Sequence, residues 1–136
     1  MKAELKEKML REATLVKVNA YAPYSKFRVG ACIVTKDGNL TCGVNIENGS
    51  YPCGICAERS ALAGVYSKGY KKEDIIAMAI SADGKDFISP CGLCRQVMSE
   101  LMLSNTPVYL LNSKNEVKEV KVRNLLPFAF ELKETK

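Results

Sequence analysis

Apolar residues recur at mostly three- or four-residue spacing from about Glu4 to Asn19: Leu5, Met9, Leu10, Ala13, Val16 and Val18. That spacing predicts a helix with one buried face. Ala22-Pro23-Tyr24-Ser25 breaks it. From Phe27 to Thr35 the pattern becomes β-like, and Lys36-Asp37-Gly38-Asn39 carries the Asp-Gly hairpin signal before a second strand, Leu40 to Ile46. A polar loop with glycine and proline follows, Glu47 to Gly54, and then a helical stretch from Cys56 to Lys68 that ends near Gly69. Ile75 to Ala82 is almost continuously apolar, as in a strand buried on both faces. After the loop Asp83 to Pro90 the spacing predicts a helix over Cys91 to Leu103, strands over Pro107 to Leu111 and Val117 to Val122, and a short C-terminal element starting at Leu125. The order α-β-β-α-β-α-β-β-α puts helices in crossover positions. It predicts an α/β fold of three layers, α-β-α, with a mixed five-stranded sheet and helices on both faces. No repeat, linker or low-complexity stretch interrupts residues 1–136, so one domain is expected over all of them.

Composition narrows the class. With 136 residues, 47% apolar and 26% charged, the chain is long enough to build a core without disulfide staples. No apolar run approaches the roughly 20 residues of a membrane span, and MKAELKEKML lacks a signal-peptide core. A cytoplasmic protein with no membrane partner is expected. The net charge is +5, but bases alternate with acids from Lys2 to Lys17 and again from Lys114 to Lys136. Mixed signs of this kind describe a solvated surface rather than a nucleic-acid patch.

There is no histidine. The Ser-His-Asp triad, the Cys-His pair and the HExxH zinc site are therefore all excluded. Proton transfer must fall to Glu, Asp, Lys, Tyr or Cys. Six cysteines are present: Cys32, Cys42, Cys53, Cys56, Cys91 and Cys94. Four of them form two C-x-x-C pairs, 53/56 and 91/94, which alone would suit a closed structural zinc site. Cys32 and Cys42 fall in expected strands, as small buried apolar residues do. Cys56 and Cys91 each open an expected helix, where the partial positive charge of the N-terminus favours thiolates. Glu58 follows Cys56 by two residues and is the acid–base candidate.

Cys56-Ala57-Glu58 followed by Pro90-Cys91-Gly92-Leu93-Cys94 resembles the zinc-dependent cytidine deaminase superfamily. Further segments resemble its small homotetrameric branch. These are Tyr21 to Phe27, Val29-Gly30-Ala31, Asn45-Ile46-Glu47-Asn48, Ser89 to Val97 and Leu125 to Phe130. The resemblance runs from about residue 20 to residue 130. It implies hydrolytic deamination of cytidine and 2′-deoxycytidine, releasing ammonia, as in pyrimidine salvage. One zinc ion per chain is implied, on Cys56, Cys91 and Cys94. Three protein ligands leave a position for water, which zinc makes acidic near neutral pH.

In the same way the resemblance implies that Glu58 shuttles protons between water, ring N3 and the departing amino group. Phe27 would stack on the pyrimidine. Asn45 and Glu47 would hold the ribose 3′ hydroxyl, and the Ala57 backbone would contact the base carbonyl. Arg59 would donate to a ligating sulfur, with Gln96 as an orienting partner. Tyr51 and Phe130 resemble residues given to a neighbouring subunit's site in a homotetramer. Cys53 stands where the family usually has an apolar residue. It is either a wall cysteine of the loop or an accessory ligand. Two other readings stay open on the residues alone. Deamination of a nucleoside antibiotic would share the zinc motif, although such enzymes as a rule lack the Phe-x-Val-Gly-Ala and Asn-Ile-Glu-Asn segments. A zinc-stabilised binding module would need Cys53 as a fourth ligand and would have no use for Glu58.

Overall fold

In the computed structural model, residues 1–132 are described. Residues 133–136, the end of the expected domain, lie outside the described residues. The chain begins with α1, Ala3–Val16. It continues through the hairpin strands β1, Val29–Thr35, and β2, Leu40–Val44. Helix α2, Ala57–Ser67, leads to β3, Ile75–Ala82, and α3, Gly92–Leu101, leads to β4, Pro107–Leu111. The last strand is β5, Val117–Lys121, followed by the single turn α4, Val122–Leu125. The strands form one sheet in the order β2-β1-β3-β4-β5. Only β3 and β4 pair in parallel, joined across α3; the other neighbours are antiparallel. The mixed five-stranded sheet with helices on both faces agrees with the expected fold class.

Strand alternation explains the layers. Ala77 and Ala79 of β3 point with Cys32 and Val34 towards Met9 and Ala13 of α1. Met78 and Ile80 point the other way, with Ala31, Ile33, Val108 and Leu110, into a larger cluster under α2, α3 and α4. Cys32 is fully buried and Cys42 partly so. Two glycines set the spacing of the layers. A Cβ at Gly30 would lie 2.2 Å from the Ala13 carbonyl oxygen of α1. A Cβ at Gly43 would lie 2.4 Å from the Ala61 nitrogen of α2. Each helix therefore rests backbone to backbone on the hairpin, one from each side.

Several boundaries differ from the sequence pattern. β1 starts at Val29, not Phe27, because a side chain replaces the sheet ladder there. Asn45 Oδ1 accepts the Val29 N–H at 2.9 Å, and Asn45 Nδ2 donates to the Phe27 carbonyl at 2.9 Å. Lys26, with φ of 61°, turns the chain just before. β2 stops at Val44, and Ile46 instead forms bridges with Tyr21 and Ile55. α1 ends at Val16 in a tighter turn, Lys17–Asn19, and α3 ends at Leu101. The C-terminal element begins at Val122 rather than Leu125, since Val122 and Leu125, three apart, both face the core. No helix among the described residues is long and apolar enough to cross a membrane.

The close approach at Gly30 is testable by unfolding. Gly30→Ala must push α1 off the sheet, which costs about 1–3 kcal/mol in a packed core. Denaturant midpoints measure it, and the expected zinc site should be unaffected because α1 covers the opposite face from α2 and α3. A loss below about 0.5 kcal/mol would show that the layers have slack.

Candidate active site

Two helix N-termini meet beside the end of β3. Cys56 is the N-cap of α2 and Cys91 the N-cap of α3, each with extended backbone and no capping hydrogen bond from its side chain. Their sulfurs are free to turn towards each other. Cys56 Sγ lies 3.7 Å from Cys91 Sγ, and Cys91 Sγ lies 3.4 Å from Cys94 Sγ, one turn into α3. All three sulfurs fall within 4.8 Å of one another. Ligand sulfurs about 2.3 Å from a tetrahedral zinc sit about 3.8 Å apart. The cluster thus fits zinc with little adjustment. Cys53 is exposed in the turn Tyr51–Cys53 and stands outside the cluster, so four sulfurs do not converge here.

Charge within the cluster is unevenly shared. Cys56 is pulled down to about 5, first by the hydrogen bond from Cys94 and then, against the cost of burial, by Arg59 and Cys91. Cys94 is pushed up by the same bond to Cys56 and by its own burial. Arg59 Nη2 lies 3.9 Å from Cys56 Sγ. Its Nε is the buried side-chain nitrogen without a partner among the described residues. Glu58 is 5% exposed. Burial, and then the charge of Cys56, raise its carboxyl to about 7.

Cys56 and Cys91 open on a cavity of about 190 Å³ whose walls also include Val29, Asn45, Ala57 and Glu58. A wider hollow of about 470 Å³ adjoins it. Asn45 and Cys56 line both, while Glu47, Tyr51 and Arg59 line the wider one. Glu47 is held in place: its carboxylate accepts the backbone N–H groups of Tyr24 and Ser25, each at 3.1 Å, and the Ser25 hydroxyl. These bonds, the Ser25 hydroxyl foremost, keep the carboxyl below its usual range.

The structure therefore brings Cys56, Cys91, Glu58, Ala57 and Asn45 around one cavity, with Cys94 buried behind Cys91 in the same sulfur cluster, and Glu47, Tyr51 and Arg59 beside it. It does not bring Phe27, Gln96 or Phe130 to either cavity. Gln96 Nε2 donates to the Phe130 carbonyl at 3.4 Å, and Phe130 is 70% exposed. Sequence reasoning missed Ile80, Ala82, Ile88 and Ser89 as cavity walls and Tyr24 and Ser25 beside Glu47. Ser25 and Ser89 stood inside conspicuous segments, but the β3 residues read only as core.

A family model, the cytidine and deoxycytidylate deaminase zinc-binding region, matches residues 3–110. The chain belongs to that family. A protein named cytidine deaminase from Halalkalibacterium halodurans is 46% identical over 125 residues, covering 92% of this chain and 93% of its own. Another, from Sporosarcina psychrophila, is 44% identical and covers 91% and 90%. The crystal structure of cytidine deaminase from Burkholderia pseudomallei superposes with a TM-score of 0.89 at 40% identity, covering 96% of this chain and 100% of that one. That from Mycobacterium tuberculosis gives 0.79 at 32% identity, with 93% and 98% covered. The zinc-binding match and the three-thiol cluster agree on one zinc ion per chain.

Metal analysis of single variants checks the ligand set. Wild type should hold one zinc per chain, Cys91→Ala should lose it, and Cys53→Ala should keep it. Loss of zinc from Cys53→Ala would replace the open three-sulfur site with a closed four-sulfur one.

Proposed function

We propose that the chain hydrolyses cytidine and 2′-deoxycytidine to uridine and 2′-deoxyuridine with release of ammonia, as a cytoplasmic salvage enzyme built as one domain over residues 1–136. The observation that carries this reading is the buried Glu58 carboxyl in one small cavity with a three-thiol cluster. A structural zinc site has no use for such an acid. Zinc held by Cys56, Cys91 and Cys94 would supply a Lewis acid that makes water nucleophilic near neutral pH.

The chain's own groups do the rest. Glu58 takes one proton from the attacking water and gives it to ring N3, then takes the remaining proton from the new C4 hydroxyl and passes it to the amino group, which leaves as ammonia as the C4 carbonyl forms. Each delivery restores the state needed for the next step, so one carboxyl suffices. The small cavity suits a pyrimidine, with the Ala57 backbone at its wall for the base carbonyl. The adjoining hollow suits the sugar. Glu47, braced by Ser25, presents its carboxylate there for a ribose hydroxyl, and Asn45 sits on the boundary between the two. Asn45 also holds Phe27 and Val29, so it shapes the site as well as lining it. Phe27, which lines neither cavity in this chain, would stack on the base only once a substrate is bound. Arg59 neutralises thiolate charge at Cys56, which preserves the acidity that zinc confers on water.

Replacing Glu58 tests the central role. Glu58→Gln should fold and bind zinc but lose about 10²–10⁴-fold in kcat, followed as the ultraviolet change on cytidine loss. In the same assay free cytosine should be a poor substrate, since it leaves the sugar hollow empty. Near-wild-type turnover by Glu58→Gln would mean that another group moves the proton.

We further propose a homotetramer in which Tyr51 and Phe130 serve a neighbour's site. Tyr51 is 79% exposed and Phe130 70%, and Phe128, at a φ of 57°, is fully exposed. Aromatic rings left outside in this way suit a partner surface. Sedimentation of the wild type should give four chains, and removal of residues from Leu125 onward should lower assembly and activity together. A fully active monomer would contradict it.

A further inference from the structure

Cys91 is the exposed member of the thiol cluster. It follows a long loop, Asp83 to Pro90, so its aim depends on what holds that approach. Arg95 does so from the next turn of α3. Its Nε donates to the Pro90 carbonyl at 2.7 Å, while its backbone N–H donates to the Cys91 carbonyl at 2.9 Å. Those two carbonyls belong to the peptide planes on either side of the Cys91 Cα. With both planes fixed, the direction of the Cys91 side chain is fixed to its rotamers. The same guanidinium reaches outward, Nη1 to the Leu125 carbonyl at 2.8 Å and Nη2 to the Ser89 hydroxyl. Leu125 is buried at the end of α4, and Gln96, next to Arg95, holds Phe130 further along.

We propose that Arg95 is a positioning residue for zinc: it locks Cys91 in its ligating direction and links that lock to the C-terminal segment. Three bonds in three directions need a planar fork of donors. A lysine ammonium on a flexible stem cannot span Pro90, Ser89 and Leu125 together. Among the described residues Arg95 makes no hydrogen bond to a sulfur, and it reaches Cys91 through the backbone. Its loss should therefore show in how long the metal is held. Partners one step outside a metal's ligands are typically worth 10–100-fold in affinity.

The test uses the zinc-loaded full chain and reads zinc transfer to the chromophoric chelator 4-(2-pyridylazo)resorcinol. Arg95→Ala should release zinc at least about tenfold faster than wild type, and Arg95→Lys should fail to restore the wild-type rate. Gly30→Ala, which loosens the opposite face of the sheet, is the comparison for general destabilisation and should release zinc at the wild-type rate. Release from Arg95→Ala within about twofold of wild type, or no faster than from Gly30→Ala, overturns the proposal. Should Arg95→Ala not fold, Arg95→Lys decides alone, and a wild-type rate there overturns it equally.

Discussion

Two thiol-bearing helix starts, 35 residues apart in sequence, have to meet with sulfurs 3.4–3.7 Å apart. Little else at this site has freedom once that is satisfied. Such a cluster cannot ionise fully without a cation, because like charges at this range repel strongly. The protons are accordingly shared unevenly, with Cys56 favouring the thiolate and Cys94 the thiol. A divalent ion held by Cys56, Cys91 and Cys94 would resolve the conflict by favouring all three as thiolates, so that metal and local fold would support each other. The sheet brings the helices into range. α2 rests on β2 at Gly43 without a side chain between them, and α3 crosses directly from β3 to β4. The site then lies outside the ends of parallel-running strands, where α/β sheets place their ligands.

Burial has opposite uses on the two sides of this cluster. On α2, exclusion of water raises the Glu58 carboxyl towards neutrality. Beside it, the half-buried Glu47 stays ionised because Ser25 and two backbone N–H groups stabilise its charge. In the proposed reaction these two carboxylates have different jobs, one to exchange a proton and one to accept hydrogen bonds. Arg59 lines the wider hollow with Glu47 and sets its charge beside the Cys56 sulfur.

The strands and helices were legible because their patterns are local. The nearly unbroken run Ile75 to Ala82 fitted best a strand covered on both faces, and the sheet covers it so. Cys56 and Cys91 at helix starts were legible for the same reason. What the sequence concealed depends on distant partners. Phe27 has strand chemistry, but Asn45, 18 residues away, takes over its backbone bonding. The turn at Val122 rests on core contacts of Val122 and Leu125 and on Asn124 Oδ1, which accepts the Lys121 N–H at 2.9 Å. Arg95 stood unremarked within Ser89 to Val97 because its meaning lies in Pro90 and Leu125, which only the folded chain brings to it. Phe27, Gln96 and Phe130 carry the family's pattern, yet in one chain none of them lines the cavities.

An open three-sulfur zinc site is the claim on which the chemistry rests. X-ray absorption at the zinc edge of the loaded protein reads its coordination directly. The account predicts three sulfurs at about 2.3 Å and one oxygen at about 2.0–2.2 Å, with the sulfur count unchanged in Cys53→Ala. Four sulfurs and no oxygen would contradict it, and would make the centre a structural one.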